Sequence, residues 1–272
     1  MKRLLSVLLL CSFFLTACLV QDEEKIVESP KMHISEPLAQ VSYCAAFNKD
    51  DCALAKEFDR ILGEVIEDGT AARLCDTHTK RNYVPDEPLP ASIGKAKGED
   101  DSLDLVREKG ELVIGYHKQY PPAAWTDSSQ NAVGFDAELA EEVCRRMGLK
   151  AKFTPLDWKN KENALSAGKV NVILCAFERT EEHLEKFNLS RTYFDTNVVL
   201  LSLEKTPYNS LDQLTKKRVA FCEGTYSEQL LNGVEATLMP CSTYKYAYER
   251  VVSKQYAAML ADEAYALYIT GQ

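Results

Sequence analysis

The side chains that could carry acid–base or metal chemistry are few in this sequence. His117, Glu178 and His183 could transfer protons as general acids or bases, and two histidines with a carboxylate, with Cys222 as a further donor, could bind zinc. These residues lie on separate segments, without the spacing of a metal-ligand motif and without a nucleophile motif beside them. The pattern favours binding over catalysis, so we expect neither a metal nor a cofactor.

Cysteine is frequent, with nine residues in the chain, but no two are spaced as Cys-x-x-Cys. Two of the nine fall in the N-terminal segment described below, and the odd number that remains cannot all pair within one chain. If the compartment is oxidising, the nearest candidate disulfides are Cys44 with Cys52 and Cys222 with Cys241.

Acidic residues outnumber basic ones. The chain carries 41 Asp and Glu against 32 Lys and Arg, a formal net charge of −9, and has no basic stretch. Nucleic acid would repel such a chain, so we exclude it as a partner.

The first residues have the order of an export signal. Lys2 and Arg3 precede an apolar run over 4–14, and Leu-Thr-Ala-Cys follows at 15–18. The run is shorter than the ~20 residues that span a bilayer, so it predicts a cleaved leader over 1–17. Its loss would remove two cations and no acid, taking the net charge from −9 to −11.

The end of this leader resembles the lipobox of bacterial lipoproteins. The resemblance implies a lipid on Cys18, which would tether the chain through polar residues 18–36 to the cell membrane or the outer membrane, facing the periplasm. The body of the protein would then be extracytoplasmic.

Two segments of the remaining chain have the patterns of folded structure. In 37–83, apolar residues 41–47 predict a strand, and helical spacing of apolar residues predicts a helix over 53–66. Residues 84–103 are rich in Pro, Gly and charge, which predicts a surface linker. From 104 to 272, strand and helix patterns alternate, which favours an α/β fold with largely parallel sheets. Such sheets bind ligands outside the carboxyl ends of their strands.

The motifs of the second segment resemble, in order and spacing, those of the family 3 extracellular solute-binding proteins of amino-acid uptake. They include Gly110-x-Leu-x-Ile-Gly, Tyr120-Pro-Pro, Gly134-Phe-Asp-x-x-Leu-Ala, Leu165-x-x-Gly-Lys-Val-Asn, Ser190-x-x-Tyr, Glu223-Gly-Thr and Ala257-x-x-Leu-x-Asp. The resemblance implies the type II periplasmic-binding-protein fold, in which two lobes joined by two hinge crossings close on a ligand.

The order of the elements differs from that of the family. Residues 37–83 resemble the family's C-terminal end, so we interpret the chain as a circular permutant in which 84–103 joins the ancestral termini. Lobe one would combine about 46–83 with 104–196, and lobe two 203–272 with 37–43. The crossings would lie at 197–202 and 43–46. A tandem array, with 37–83 as the tail of a lost copy, is the alternative.

Carrying the family's pocket across gives eight candidate ligand-binding residues. Tyr120 and Trp158 would sandwich the ligand, Ala176 and Glu178 would face its carboxylate, and Asp262 would bind its ammonium group. The other positions are His183 where the family has Arg, His117 where an acidic or polar residue is frequent, and Thr225 at the start of a lobe-two helix, whose N–H groups suit an anion.

Two of these residues depart from the family in a way that changes the expected ligand. Histidine cannot form the two-pronged bond that arginine makes with a carboxylate, and Glu178 adds a negative charge beside it. We therefore expect a cationic or neutral polar solute in place of an anionic one.

The leading hypothesis is a monomeric solute-binding lipoprotein that serves an ABC permease. The alternative is a cyclohexadienyl-dehydratase-like enzyme on the same scaffold, with His117, Glu178 and His183 transferring protons. Metal capture and a non-transport accessory or sensory role are two further possibilities.

Overall fold

Two long, mostly buried strands run through the middle of the main sheet, with partner strands on both sides of each. The structure, a computed structural model, describes residues 30–272. The predicted leader, the lipid site at Cys18 and most of the predicted tether lie outside the described residues.

The strands occupy these ranges: Met32–Ile34 (β1), Ala39–Phe47 (β2), Glu111–Tyr116 (β3), Gln119–Tyr120 (β4), Ala124–Thr126 (β5), Ala132–Val133 (β6), Lys150–Pro155 (β7), Val172–Glu178 (β8), Asn188–Leu203 (β9), Arg218–Cys222 (β10), Thr237–Cys241 (β11) and Ala258–Asp262 (β12). The α-helices are Cys52–Glu67 (α1), Thr70–His78 (α2), Ser102–Lys109 (α3), Phe135–Met147 (α4), Lys161–Ser166 (α5), Glu181–Lys186 (α6), Tyr226–Leu230 (α7), Tyr244–Val252 (α8) and Glu263–Thr270 (α9).

The main sheet has the order β11-β10-β12-β9-β2-β8-β3-β7, with β1 also paired to β9. The β8-β3-β7 end is parallel and forms lobe one, and the β11-β10-β12 end is parallel and forms lobe two. The antiparallel strands β2 and β9 join the two ends. This is a two-lobed α/β architecture, as the sequence predicts.

The crossings between the lobes lie earlier on both strands than predicted. Residues 198–202, assigned to the hinge, pair with β12 and belong to the lobe-two sheet. Residues 43–47, which include the second predicted crossing, pair with β8 in lobe one. The connecting segments are 195–197 on β9 and 40–42 on β2, which pair with each other.

The first folded segment completes lobe one. The apolar face of α1, with Leu54, Phe58 and Leu62 fully buried, packs against β9 and α4, and α2 packs against α4. Asp51 precedes α1, but its side chain forms no cap; the carboxylate of Asp100 accepts the Ala53 N–H instead, at 2.6 Å. The predicted helix over 53–66 is confirmed.

Two segments predicted to be loose are held by the body. Part of the predicted tether is strand β1, whose Met32–Ile34 pair with Leu201–Leu203, because the exposed edge of β9 offers free backbone groups there. The predicted linker is docked along the other half of β9, where Ser92 and Leu189 exchange backbone hydrogen bonds at 2.8 and 2.9 Å.

The candidate disulfides are not formed. Cys44, Cys52, Cys222 and Cys241 are all buried free thiols, and burial raises the pKa of Cys222 to about 12. Cys222 and Cys241 are register partners on neighbouring parallel strands. Within residues 30–272, no helix has both the length and the apolar character needed to cross a bilayer.

Candidate functional site

The candidate site is a cavity between the lobes, at the carboxyl ends of the parallel strands. Glu178 ends β8, Cys222 ends β10, Asp262 ends β12, and His117 follows β3. Seven of the eight predicted residues line this cavity, and His183 lines an adjoining one. The cavity lining comprises Tyr43, His117, Tyr120, Trp158, Ala176, Glu178, Cys222, Thr225, Tyr244 and Asp262.

Aromatic side chains leave little room in this cavity. Tyr120 of lobe one packs on Tyr244 and Tyr265 of lobe two, with ring centroids 5.3 and 6.3 Å apart. The volume that remains is about 10 Å³, which suits a single water molecule. A solute of amino-acid size can therefore enter only if the lobes separate or these rings move.

Glu178 connects the two lobes through its carboxylate. The side chain is only 3% exposed, and its Oε1 accepts a hydrogen bond from the Tyr226 N–H of lobe two at 3.0 Å. Thr225 does not cap α7, because its hydroxyl donates to the Cys222 carbonyl at 2.7 Å. The backbone group that was expected to suit a ligand's anion is therefore bound by the protein's own carboxylate.

Lys161, which lies on lobe one with Glu178, also contacts lobe two. Its buried ammonium donates to the Gly224 carbonyl of lobe two and lies 3.8 Å from Glu178 Oε2 and 5.0 Å from the Trp158 ring centroid. At the exposed rim, Lys159 Nζ lies 2.6 Å from Glu223 Oε1. Three polar contacts thus hold the lobes together beside the cavity.

The close approach of the lobes depends on a glycine. Gly224 has a left-handed φ of 73°, which glycine adopts without strain. A Cβ at this position would lie 3.0 Å from Lys159 Cα and 3.0 Å from the Trp158 carbonyl oxygen. Any larger residue would push the two lobes apart.

Ala176 lies in a strained bulge of β8. Its φ is 46°, a region that costs a residue with a Cβ about 1–2 kcal/mol. The register of β2 against β8 shifts at the same point. The bulge is held by Asp136, whose Oδ2 accepts the Ala176 N–H at 3.1 Å, and burial raises the pKa of Asp136 to about 7.

The two histidines have separate roles. His117 Nδ1 accepts the Gln119 N–H at 3.1 Å, and burial, with help from nearby Lys161, lowers its pKa to about 4. It is therefore neutral at pH 7. The His183 ring lies 2.6 Å through Nδ1 from the Glu178 carbonyl oxygen and 3.3 Å through Nε2 from Glu162. These contacts fix the backbone that carries Glu178.

Asp262 is the acid at the base of the cavity. It is only 3% exposed, and burial raises its pKa to about 7, opposed by a hydrogen bond with Tyr43. It can therefore be neutral or ionised near pH 7, and a neighbouring cation would favour the ionised form.

Several residues of the site were missed by sequence reasoning. Tyr244 belongs to a run of alternating tyrosines that fitted a strand or a helix equally; the run is helical, so Tyr244 is buried while Tyr246 is exposed. Tyr43 could have been found as the β2 residue opposite Glu178. Lys161 gave no signal, since a buried lysine is rare and looks like any surface lysine in sequence. Within residues 30–272, no group of three or more His, Cys, Asp or Glu side chains could hold a metal ion.

The lobed sheet with a site at its crossing defines a type II periplasmic binding protein. The chain belongs to the bacterial extracellular solute-binding proteins, family 3, whose family model matches residues 112–267.

Individual relatives match only part of the chain. The L-cystine-binding protein TcyJ of Escherichia coli is 25% identical over 52% of this chain and 54% of its own length. The lysine/arginine/ornithine-binding periplasmic protein of the same species is 27% identical over 44% and 46%. An ancestral amino-acid-binding protein, a precursor of cyclohexadienyl dehydratase, superposes with a TM-score of 0.60 at 28% identity, covering 62% of this chain and 77% of that one. The chain thus spans about half the length of the curated relatives it matches.

Proposed function

We propose that the protein captures a small polar solute, an amino acid or a related compound, by closure of its two lobes, and delivers it to an ABC-type permease outside the cytoplasm. The observation that carries the proposal is the cavity at the lobe boundary, lined from both sides and set at the strand ends. A solute that touches both lobes stabilises the closed form by its differential contacts.

The charges of the site favour a cationic or neutral solute. Glu178 and Asp262 both line the cavity, and Glu162, Glu182 and Glu228 line the adjoining pocket of about 280 Å³. A solute carboxylate would have to displace Glu178 from the Tyr226 N–H and then lie beside it. A positively charged group would meet Asp262 and the ring of Tyr120, which attracts cations. Two relatives, an arginine-binding protein and a lysine/arginine/ornithine-binding protein, agree with this class.

Closure in this protein is assisted by contacts within the chain. The Glu178 carboxylate takes the lobe-two N–H, and Lys161 takes the Gly224 carbonyl. In this arrangement the protein supplies part of the bridge between the lobes that we expect a ligand to supply in the family. The solute then needs to supply fewer contacts between the lobes, and its charge determines whether the site accepts it.

The chain order supports a circular permutant. β2, α1 and α2 precede the rest of lobe one in sequence, yet β2 lies between β9 and β8 in the middle of the sheet and both helices pack on α4. The segment 84–103, which docks on β9, leads from α2 to α3. A reordered chain, with 37–83 placed after 272, is expected to fold and to unfold cooperatively; a chain of 104–272 alone is expected not to fold. Cooperative folding of 104–272 alone would favour the tandem-array hypothesis.

The proposed location rests on the sequence. A lipid on Cys18 would anchor the protein to a membrane, with the described body on the extracytoplasmic side. Metabolic labelling with a radioactive fatty acid, compared between the natural chain and Cys18→Ser, tests this: label is expected in the first and absent in the second. Equal labelling of both would refute the anchor.

A dehydratase is the second candidate, favoured by the relationship to the dehydratase precursor and by Asp262, whose pKa of about 7 suits a general acid. Incubation with prephenate, followed by absorbance of the aromatic product, separates the two functions. Turnover that is lost in Asp262→Asn would support the enzyme, and no turnover together with solute binding would support transport.

A further inference from the structure

A basic groove lies on lobe two, far from the cavity between the lobes. The groove has a volume of about 820 Å³. Its lining includes six exposed cations, with Glu204 as the one acid among the lining residues that the structure describes. The cations are Lys31, Lys205, Lys216, Lys217, Arg218 and Lys254.

This concentration of positive charge is unexpected in the chain as a whole. The formal net charge is −9, so an even distribution would leave most patches acidic. Among residues 30–272, none of the six cations has a carboxylate partner within 4.0 Å, whereas many exposed cations elsewhere do. Unpaired like charges repel one another, so the groove is destabilising by itself and is suited to an anionic partner.

The groove lies at the opposite end of the lobe-two sheet from the solute site. Arg218 begins β10, Ala257 immediately precedes β12, and Leu203 ends the antiparallel β9. The carboxyl ends of β10 and β12 carry Cys222 and Asp262 of the cavity. A partner in the groove therefore leaves the cavity free.

The N-terminal end of the described chain runs along the same groove. Pro30 and Lys31 are part of its lining, and residues 19–30 separate Lys31 from Cys18. A chain of this length reaches at most about 45 Å when fully extended. A lipid on Cys18 would hold the groove close to the bilayer, within reach of the headgroups.

We propose that this groove docks on the anionic phospholipid headgroups of the membrane to which the protein is anchored. The proposal rests on the lipid anchor that we propose at Cys18, but the contact itself needs no acyl chain. Phosphate-bearing headgroups match the six cations in charge, and the acyl anchor raises their local concentration. In the docked orientation, the solute site faces away from the bilayer.

The test uses residues 19–272, without leader or lipid, in a vesicle co-sedimentation assay. The chain is expected to bind vesicles that contain phosphatidylglycerol, to bind pure phosphatidylcholine vesicles far less, and to dissociate as salt rises, because the Debye length shortens. Each basic residue at an anionic surface contributes about a fivefold gain in partitioning. The triple variant Lys216→Gln, Lys217→Gln, Lys254→Gln is therefore expected to bind about a hundredfold more weakly.

The matched control removes the same charge from lobe one. Lys109→Gln, Lys150→Gln, Lys169→Gln neutralises three exposed lysines outside the groove and is expected to change vesicle binding less than about fivefold. An equal loss in both triple variants would overturn the proposal, because it would show attraction without a defined surface. Binding of glycerol phosphate in the groove, without vesicle binding, would also overturn it and identify a small-anion site. Unfolding curves of each variant show whether it is folded, and solute binding by each variant tests the proposed transport function separately from vesicle binding.

Discussion

Replacing Glu178 by glutamine is expected to weaken the closed arrangement of the lobes. Glutamine keeps the shape of the side chain and one acceptor, but it removes the charge that faces Tyr226 N–H at 3.0 Å and Lys161 Nζ at 3.8 Å. Lys161 then stays buried without its counter-charge, which is unfavourable.

The size of the effect follows from these contacts. At 3.8 Å the full Coulomb attraction is about 4 kcal/mol at an effective dielectric constant of ~20, but burial of the two charges offsets much of it. Hydrogen bonds to charged groups contribute a net of about 1.5–3 kcal/mol, and neutral ones, such as the bond that glutamine can keep, about 0.5–1.5 kcal/mol. The difference of about 1–1.5 kcal/mol predicts that the ratio of closed to open molecules falls by about five- to 12-fold.

Single-molecule FRET between one dye on each lobe measures this ratio directly. The matched control is Glu223→Gln, which removes the exposed pair with Lys159 at the same boundary. Exposed pairs contribute about 0–1 kcal/mol, so the control is expected to shift the ratio less than about fivefold. If the two variants shift the ratio equally, the role assigned to the Glu178 carboxylate is wrong.

The remaining predictions concern the backbone and the acid of the site. Gly224→Ala is expected to favour the open form in the same FRET measurement, whereas Gly233→Ala, which has a similar left-handed φ but no atom within 4 Å of the new Cβ, should cost stability without opening the lobes. Ala176→Gly is expected to keep or raise the free energy of unfolding in urea, because it relieves the strain of a φ of 46°. The control Ala258→Gly, in an ordinary strand, should lower the free energy of unfolding by about 0.5–1 kcal/mol. If Ala176→Gly lowers it as much as Ala258→Gly does, Ala176 is not strained. A cationic solute is expected to bind more tightly as pH rises from 5 towards 7, by up to about tenfold per pH unit. The reason is that the cation binds the ionised form of Asp262, and the pKa of Asp262 is about 7 without the solute. Calorimetry at several pH values checks this, and Asp262→Asn should lose both the affinity and its pH dependence.

The fold was largely predictable because its signals are local. The apolar spacing of α1 and the strand motifs around Ile114 and Phe221 lie within short windows, and the family's motif order supplied the topology. The predicted positions of the crossings were wrong because the sequence of one strand does not reveal which strands pair with it. The apolar run at 198–203 predicts a strand, which is observed, but its pairing with β12 and β1 places it within lobe two and not at the crossing.

The sequence predicted which residues line the cavity but not the contacts that they make. Seven of eight residues line one cavity because each lies near the carboxyl end of a strand whose motif fixes its position. The bond from Tyr226 N–H to Glu178 joins residues that are far apart in sequence and on different lobes, and the ion pair of Glu178 with Lys161 joins two different elements of lobe one. No pattern in either segment indicates such a pairing. The tight fit at Gly224 was equally hidden, since its neighbour is the backbone of the other lobe.

The central claim, a lobe-closing binder of a cationic or neutral polar solute, is tested most directly by thermal unfolding across a panel of amino acids, polyamines and small acids. A solute at a hundredfold excess over its Kd should stabilise the protein by about 2.7 kcal/mol, which raises the Tm by roughly 5–10 °C for a body of this size. We predict such a shift with a basic or neutral polar compound and none with glutamate or aspartate. Tight binding of glutamate, retained in Glu178→Gln, would contradict the account.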